Sequence, residues 1–88
     1  MLIKHNFKVI YDQIYEMITD MQYVYNLSTV DTLVLTDKIV LIYNYNIKIN
    51  TDGFGKDLQE YINLIDDTLK VELEVYDDRF QFIIMSKF

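Results

Sequence analysis

The sequence predicts an α+β fold: a two-layer sandwich in the order α-β-β-α-β-β, with a four-stranded, mainly antiparallel sheet carrying both helices on one face. Three observations predict it. Apolar residues recur at three- and four-residue spacing over residues 7–26 and again after residue 55. Each of these segments is followed by two short runs rich in Val, Ile, Leu, Tyr or Phe, joined by a few polar residues. Finally, 88 residues, of which 51% are hydrophobic and 25% charged, suit one domain (1–88) with a single core.

The first helix is the clearest element. Phe7, Ile10, Tyr11, Ile14, Met17, Ile18, Met21, Val24 and Tyr25 form its apolar stripe, Asn6 can cap its start, and Asn26 with Ser28 can end it. The stripe spans about half the circumference, wider than the ~100° that one sheet face requires, so the helix is expected to touch more than one surface. "VDTLVL" (30–35) and "IVLIYNYNIKIN" (39–50) flank the polar "TDK" and read as a hairpin. In the second strand Ile39, Leu41, Tyr43, Tyr45, Ile47 and Ile49 share one face. The other face begins apolar with Val40 and Ile42 and turns polar at Asn44. At about twice the usual strand length, this run predicts a bulge or an overhang beyond its partner.

"TDGFG" (51–55) holds both glycines and reads as the main loop. Leu58, Tyr61, Ile62, Ile65 and Leu69 then predict a second helix over about residues 56–68. Val71, Leu73 and Val75 alternate with Lys70, Glu72 and Glu74, "YDDR" turns, and Phe80, Phe82 and Ile84 alternate with Gln81, Ile83 and Met85, giving a second hairpin. The halves share an architecture without enough identity to argue duplication. Met1 to Lys4 can add a short edge strand.

The composition excludes several chemistries. There is no cysteine, hence no disulfide framework and no thiolate metal site, and a cytoplasmic location in a bacterial host cell is expected. His5 is the only histidine, and Ser28 and Ser86 are the only serines, so a nucleophile-histidine pair has little to draw on. His5, near the terminus in a polar stretch, reads as a solvated side chain. No cofactor or metal is expected: "TDGFGKD" carries only part of a calcium-loop alternation, and "GFGK" lacks the ending of a phosphate-binding loop. No eighteen-residue apolar run exists, so no membrane partner is expected. The eight tyrosines fall mostly on apolar stripes, where rings pack and hydroxyls reach solvent, and a net charge of −6 disfavours direct nucleic-acid binding.

The functional lead is "DDTLKVELEVYDD", residues 66–78. It holds six acids (Asp66, Asp67, Glu72, Glu74, Asp77 and Asp78) and one base, Lys70, a net of −5; the rest of the chain holds eight acids and seven bases, a net of −1. With Val71, Leu73 and Val75 toward the core, Glu72 and Glu74 project from the opposite face, with acids at both ends of the strand. One explanation is a solvated strand whose charges discourage edge-to-edge aggregation. The other is a negative surface presented to the basic groove of a nucleic-acid-processing protein, with electrostatic steering of the encounter. Phe54, between two glycines, is a secondary candidate as an exposed anchor, the alternative being that it folds back over the sheet.

An abundance of Ile, Asn, Lys, Tyr and Phe with no Ala or Pro points to an AT-rich genome. A short, acidic, cysteine-free chain of this kind resembles the small phage proteins that inhibit host nucleic-acid enzymes, anti-CRISPR proteins among them. Nuclease immunity proteins and antitoxins share the profile. The resemblance is one of class, with no motif behind it, and implies a non-enzymatic inhibitor. A homo-oligomeric structural or regulatory module, a homodimer being one form of it, is the second expectation, from the broad stripe of the first helix and the long strand through Ile47 and Ile49.

Overall fold

The computed structural model describes residues 5–25, 27, 29–44 and 51–87. Its elements are α1 (Phe7–Val24), β1 (Thr29–Val34), β2 (Lys38–Asn44), α2 (Thr51–Ile65), β3 (Leu69–Val75) and β4 (Arg79–Ser86). The predicted order and class are those of the molecule. The sheet of the described residues is antiparallel throughout, in the order β1-β2-β4-β3, so the hairpins meet through their second strands and, among the described residues, β1 and β3 form the edges.

The hairpins turn alike. Leu35 N–H bonds to the Lys38 carbonyl at 2.8 Å, and Tyr76 N–H to the Arg79 carbonyl at 2.7 Å, leaving Thr36-Asp37 and Asp77-Asp78 as the tips. Superposing one turn on the other carries Leu41 onto Phe82, and these two are direct cross-strand partners. An approximate twofold axis therefore passes through the centre of the sheet. The predicted strand overhang after Asn44 and the extra strand at Met1–Lys4 lie outside the described residues, whereas a register shift does occur, between Thr29 and Asp31 on β1.

Both helices cover the face formed by Ile39, Leu41 and Tyr43 of β2 and Phe80, Phe82 and Ile84 of β4. Asn6 caps α1 by accepting the Val9 N–H at 3.3 Å, as its residue type suggests. Phe7, Ile10, Ile14 and Ile18 form the buried row of α1, while Met17, Met21 and Tyr25 pack at the margin of the core. The breadth of the stripe is thus explained by two neighbours, the sheet and α2.

The segment 51–55 differs from expectation: it is the first turn and more of α2, and the helix ends at Ile65 instead of near 68. Asp66 N–H closes the last turn onto the Ile62 carbonyl at 2.8 Å. Phe54, Leu58 and Ile62, one turn apart, are all fully buried. Gly55 is needed for closeness: a Cβ there would stand 2.9 Å from Cε1 of Phe82. A glycine that reads as a helix breaker is here what allows the helix to lie on the sheet.

An aromatic cluster fills the centre of the core. Tyr43 stacks on Phe80 with centroids 5.3 Å apart, Phe54 stacks on Phe82 at 5.0 Å, and Tyr43 meets Phe54 edge-on at 5.7 Å. Phe54 cannot be the surface anchor considered from the sequence, because it is the hub of this cluster. Tyr43 also departs from expectation: its hydroxyl does not reach solvent but is buried without a hydrogen-bond partner. Burial pushes that phenol well above the ordinary tyrosine range.

Candidate functional site: the open face of the sheet

The register assembles the second face of the sheet row by row. Leu33, Val40, Ile83 and Glu72 form one row; Asp31, Ile42, Gln81 and Glu74 the next; Lys38, Met85 and Lys70 the row on the other side. The two central strands are apolar on this face apart from Gln81, and the outer positions are charged apart from Leu33 on the β1 edge. Val40 and Ile83 are buried, Ile42 and Met85 half-buried, and Leu33 is 39% exposed. No helix covers this face among the described residues, as both lie on the other. An antiparallel sheet that only met water here would carry polar residues through its middle as well as its margin.

The six acids of residues 66–78 do not act as one group. Asp66 is committed inside the chain. Its Oδ1 accepts from Thr68 N–H at 2.9 Å and from the Thr68 hydroxyl at 2.5 Å, and these bonds, with a smaller contribution from His5, hold its carboxyl below the usual carboxylate range. Because that hydroxyl gives its proton to Asp66, His5 Nε2 is the donor in its own 2.7 Å bond to Thr68 Oγ1; it also lies 3.3 Å from Asp66 Oδ2. His5, read from the sequence as solvated, has only 4% of its side chain exposed. It ties the start of α1 to the α2–β3 turn.

Asp67 is exposed in that same turn, and Asp77 and Asp78 are exposed at the far end of β3, about 20 Å away for a strand of this length. Between them Glu72 and Glu74 stand on the open face, as the alternation required. Each has a neighbour: Lys70 Nζ lies 2.9 Å from Glu72 Oε1, and the Tyr76 hydroxyl donates to Glu74 Oε2 at 2.5 Å. That bond raises the Tyr76 phenol. Arg79 lies over the Tyr76 ring at 5.4 Å.

Folding therefore redistributes the linear charge pattern. Lys38, distant in sequence, joins Lys70 in one row of the open face, with exposed Asp37 and Asp67 just beyond it. The other end gathers Asp31, Glu74, Asp77 and Asp78, with Arg79 among the described residues beside them. The face has a largely apolar centre, an acidic end and a row with two lysines toward the other end, a pattern that charge counting along the chain could not give.

The β3 edge is partly closed. The hairpin bonds at Tyr76 and at Lys87, whose N–H reaches the Thr68 carbonyl at 2.9 Å, turn alternate residues inward, leaving Leu69, Val71, Leu73 and Val75 to point their backbone groups outward. Gln59 of α2 occupies the first of these: its Oε1 accepts the Val71 N–H at 2.7 Å and its Nε2 reaches the Leu69 carbonyl at 3.4 Å. On the other edge Asp31 Oδ1 accepts the Thr32 N–H at 2.8 Å. Such plugs oppose strand addition at the edges.

Among the described residues no group of three or more His, Asp or Glu side chains converges to hold a metal ion, and no helix is long and apolar enough to cross a membrane. Against known proteins, the chain matches no family profile, no curated sequence and no solved structure.

Proposed function

We propose that the protein is a non-enzymatic binding module that docks through the open face of its sheet onto a basic surface of a nucleic-acid-processing protein and so blocks it. The observation that carries this reading is the face itself: an apolar centre of Val40, Ile42, Ile83 and Met85, continued by Leu33 on the β1 edge and bordered by charge, the anatomy of a protein interface. Apolar side chains supply burial; Glu72, Glu74, Asp77 and Asp78 supply sign and steering, and carboxylates spaced along a strand can occupy sites built for phosphates. Asp66 has a folding role, and Asp67 lies at the opposite end, beside the basic row.

The test is binding to a captured partner by the wild-type chain and by Glu72→Lys/Glu74→Lys, with Leu33→Lys as a second variant. Both are expected to weaken capture while leaving the circular dichroism spectrum unchanged. Full retention by both variants would remove the face from the account.

A second reading, a homodimer, is favoured by one observation: Leu33, Val34 and Leu35 form a continuous exposed apolar run on the β1 edge. A sedimenting monomer at micromolar concentration would contradict it. A dimer closed through β1 would still leave the acidic ends of both copies available.

A further inference from the structure

The helical layer carries a second surface, on the side of the molecule away from the open sheet face and independent of it. α1 and α2 run antiparallel: Tyr25, just past α1, packs edge-on against Phe54 near the start of α2, with centroids 5.2 Å apart, while His5, before α1, bonds to Thr68 beyond the end of α2. A groove of about 490 Å³ lies between the helices. Met17, Met21 and Tyr61 give it apolar walls, and Glu16, Asp20 and Asp57 its charge; among the described residues no lysine or arginine lines it. The Tyr25 hydroxyl donates to Asp57 Oδ2 at 3.0 Å, holding that carboxylate in place, and the same bond raises the Tyr25 phenol.

Glu16 and Asp20 stand where α1 gains nothing from them. Asp12, Glu16 and Asp20 follow one another at i, i+4 and i+8, so each meets a like charge one turn away. Glu16 and Asp20 also lie in the half of α1 that approaches its negative dipole end, and no basic residue occupies the last turn. Lysine at either position would favour the helix. Neither acid has a compensating contact among the described residues, and a local choice that opposes the fold is where a functional role is expected. The apolar surface is exposed at both ends: Val24, which lines the groove, is 77% exposed, and Leu64, one turn beyond Tyr61, is 84% exposed.

We infer that this groove receives a cationic amphipathic helix of a partner protein, its apolar side chains seated on Met17, Met21 and Tyr61 and its lysines or arginines paired with Glu16, Asp20 and Asp57. Charge complementarity selects this occupant, since the three ionic side chains of the lining have one sign. Size agrees with it. From Glu16 to Val24 the wall runs about 12 Å, the length of roughly two helical turns. Methionines adapt to varied apolar partners, so the groove recognises charge and amphipathicity more than an individual side chain. A larger opening of about 770 Å³ between the start of α1 and the β1–β2 hairpin has no such preference, because Lys8 and Asp12 both line it.

The experiment uses the full chain, isotopically labelled, titrated with a short synthetic peptide of leucine and lysine whose leucines fall on one helical face. Controls are the same composition scrambled and a leucine-glutamate analogue. Amide shifts are expected to concentrate on residues 16–25 and 57–64, with neither control binding comparably. Glu16→Lys/Asp20→Lys is expected to weaken binding about tenfold, the scale of two partly screened ion pairs. Met21→Glu, which keeps the acids and removes an apolar seat, is expected to weaken it too, while Glu72→Lys/Glu74→Lys leaves it unchanged. Four results would overturn the inference: shifts located elsewhere, undiminished affinity in the groove variants, equal binding of the scrambled peptide, or groove shifts that track protein concentration alone, which would assign the groove to a second copy.

Discussion

Tyr43→Phe is expected to stabilise this protein. The Tyr43 ring is fully buried, stacked on Phe80 and edge-on to Phe54 and Phe82, and phenylalanine retains every one of these ring contacts. What disappears is a buried hydroxyl with no partner. Leaving such a group unsatisfied costs about 1–3 kcal/mol, and the small void left by the oxygen returns only a few tenths, at about 24 cal/mol per Å³. The net expectation is a gain of about 1 kcal/mol, equivalent to roughly 4–8 °C in Tm for a domain of this size. Urea titration followed by far-ultraviolet circular dichroism, with an unchanged m-value, measures it. A pH signature accompanies the gain. Because the folded phenol is raised above its unfolded value, its contribution is fully present below about pH 10 and is lost as pH rises beyond that. The variant should therefore decline less steeply than the wild type in alkali. A loss of 1 kcal/mol or more would refute the reasoning, by showing that the hydroxyl is bonded in the native state.

Three further predictions concern other parts of the fold. Gly55→Ala, normally favourable inside a helix by about 1 kcal/mol, should here lower stability by roughly 1–2 kcal/mol, because the added methyl meets Phe82, which is fully buried against Phe54; thermal melts would show the sign. Asp66→Ala should cost about 1–2 kcal/mol through its bonds to Thr68 and His5. Since the folded Asp66 carboxyl lies below its unfolded value of about 3.9, its contribution is present above that pH and lost as pH falls through the folded value, so the variant should show a shallower loss in acid. Gln59→Ala should unplug the β3 edge at Leu69 and Val71, raising concentration-dependent light scattering with only about 1 kcal/mol lost in stability.

What the sequence made legible follows from where each signal resides. The 3.6-residue period of Phe7 to Tyr25 and the alternation of Val71–Val75 and Phe80–Ile84 are local, and they located α1 and the second hairpin closely. Phe54 and Gly55 were opaque for the opposite reason: glycine lowers helix propensity, and only the approach of Phe82 shows why it stands in one. A clue was present, because the row Leu58 and Ile62 extends back one turn to Phe54. His5 looked solvated because its partners, Asp66 and Thr68, come from the far side of the chain. The acidic run was visible, but its meaning was not, since the sheet register brings Lys38 into the row of Lys70 and separates Glu74, Asp77 and Asp78 from Asp66 and Asp67. The helix groove depends on antiparallel packing of two distant helices and had no sequence signal beyond the acids of α1.

The proposal that the open sheet face is a docking surface is tested most directly by capture from a lysate of an AT-rich bacterium, comparing wild type with Glu72→Lys/Glu74→Lys and with Leu33→Lys, the bound proteins identified by mass spectrometry. The account predicts that wild type retains a nucleic-acid-processing protein, that both variants lose it, and that raising ionic strength weakens the wild-type interaction. Retention of the same protein by both variants, or recovery of nothing except the chain itself, would contradict it.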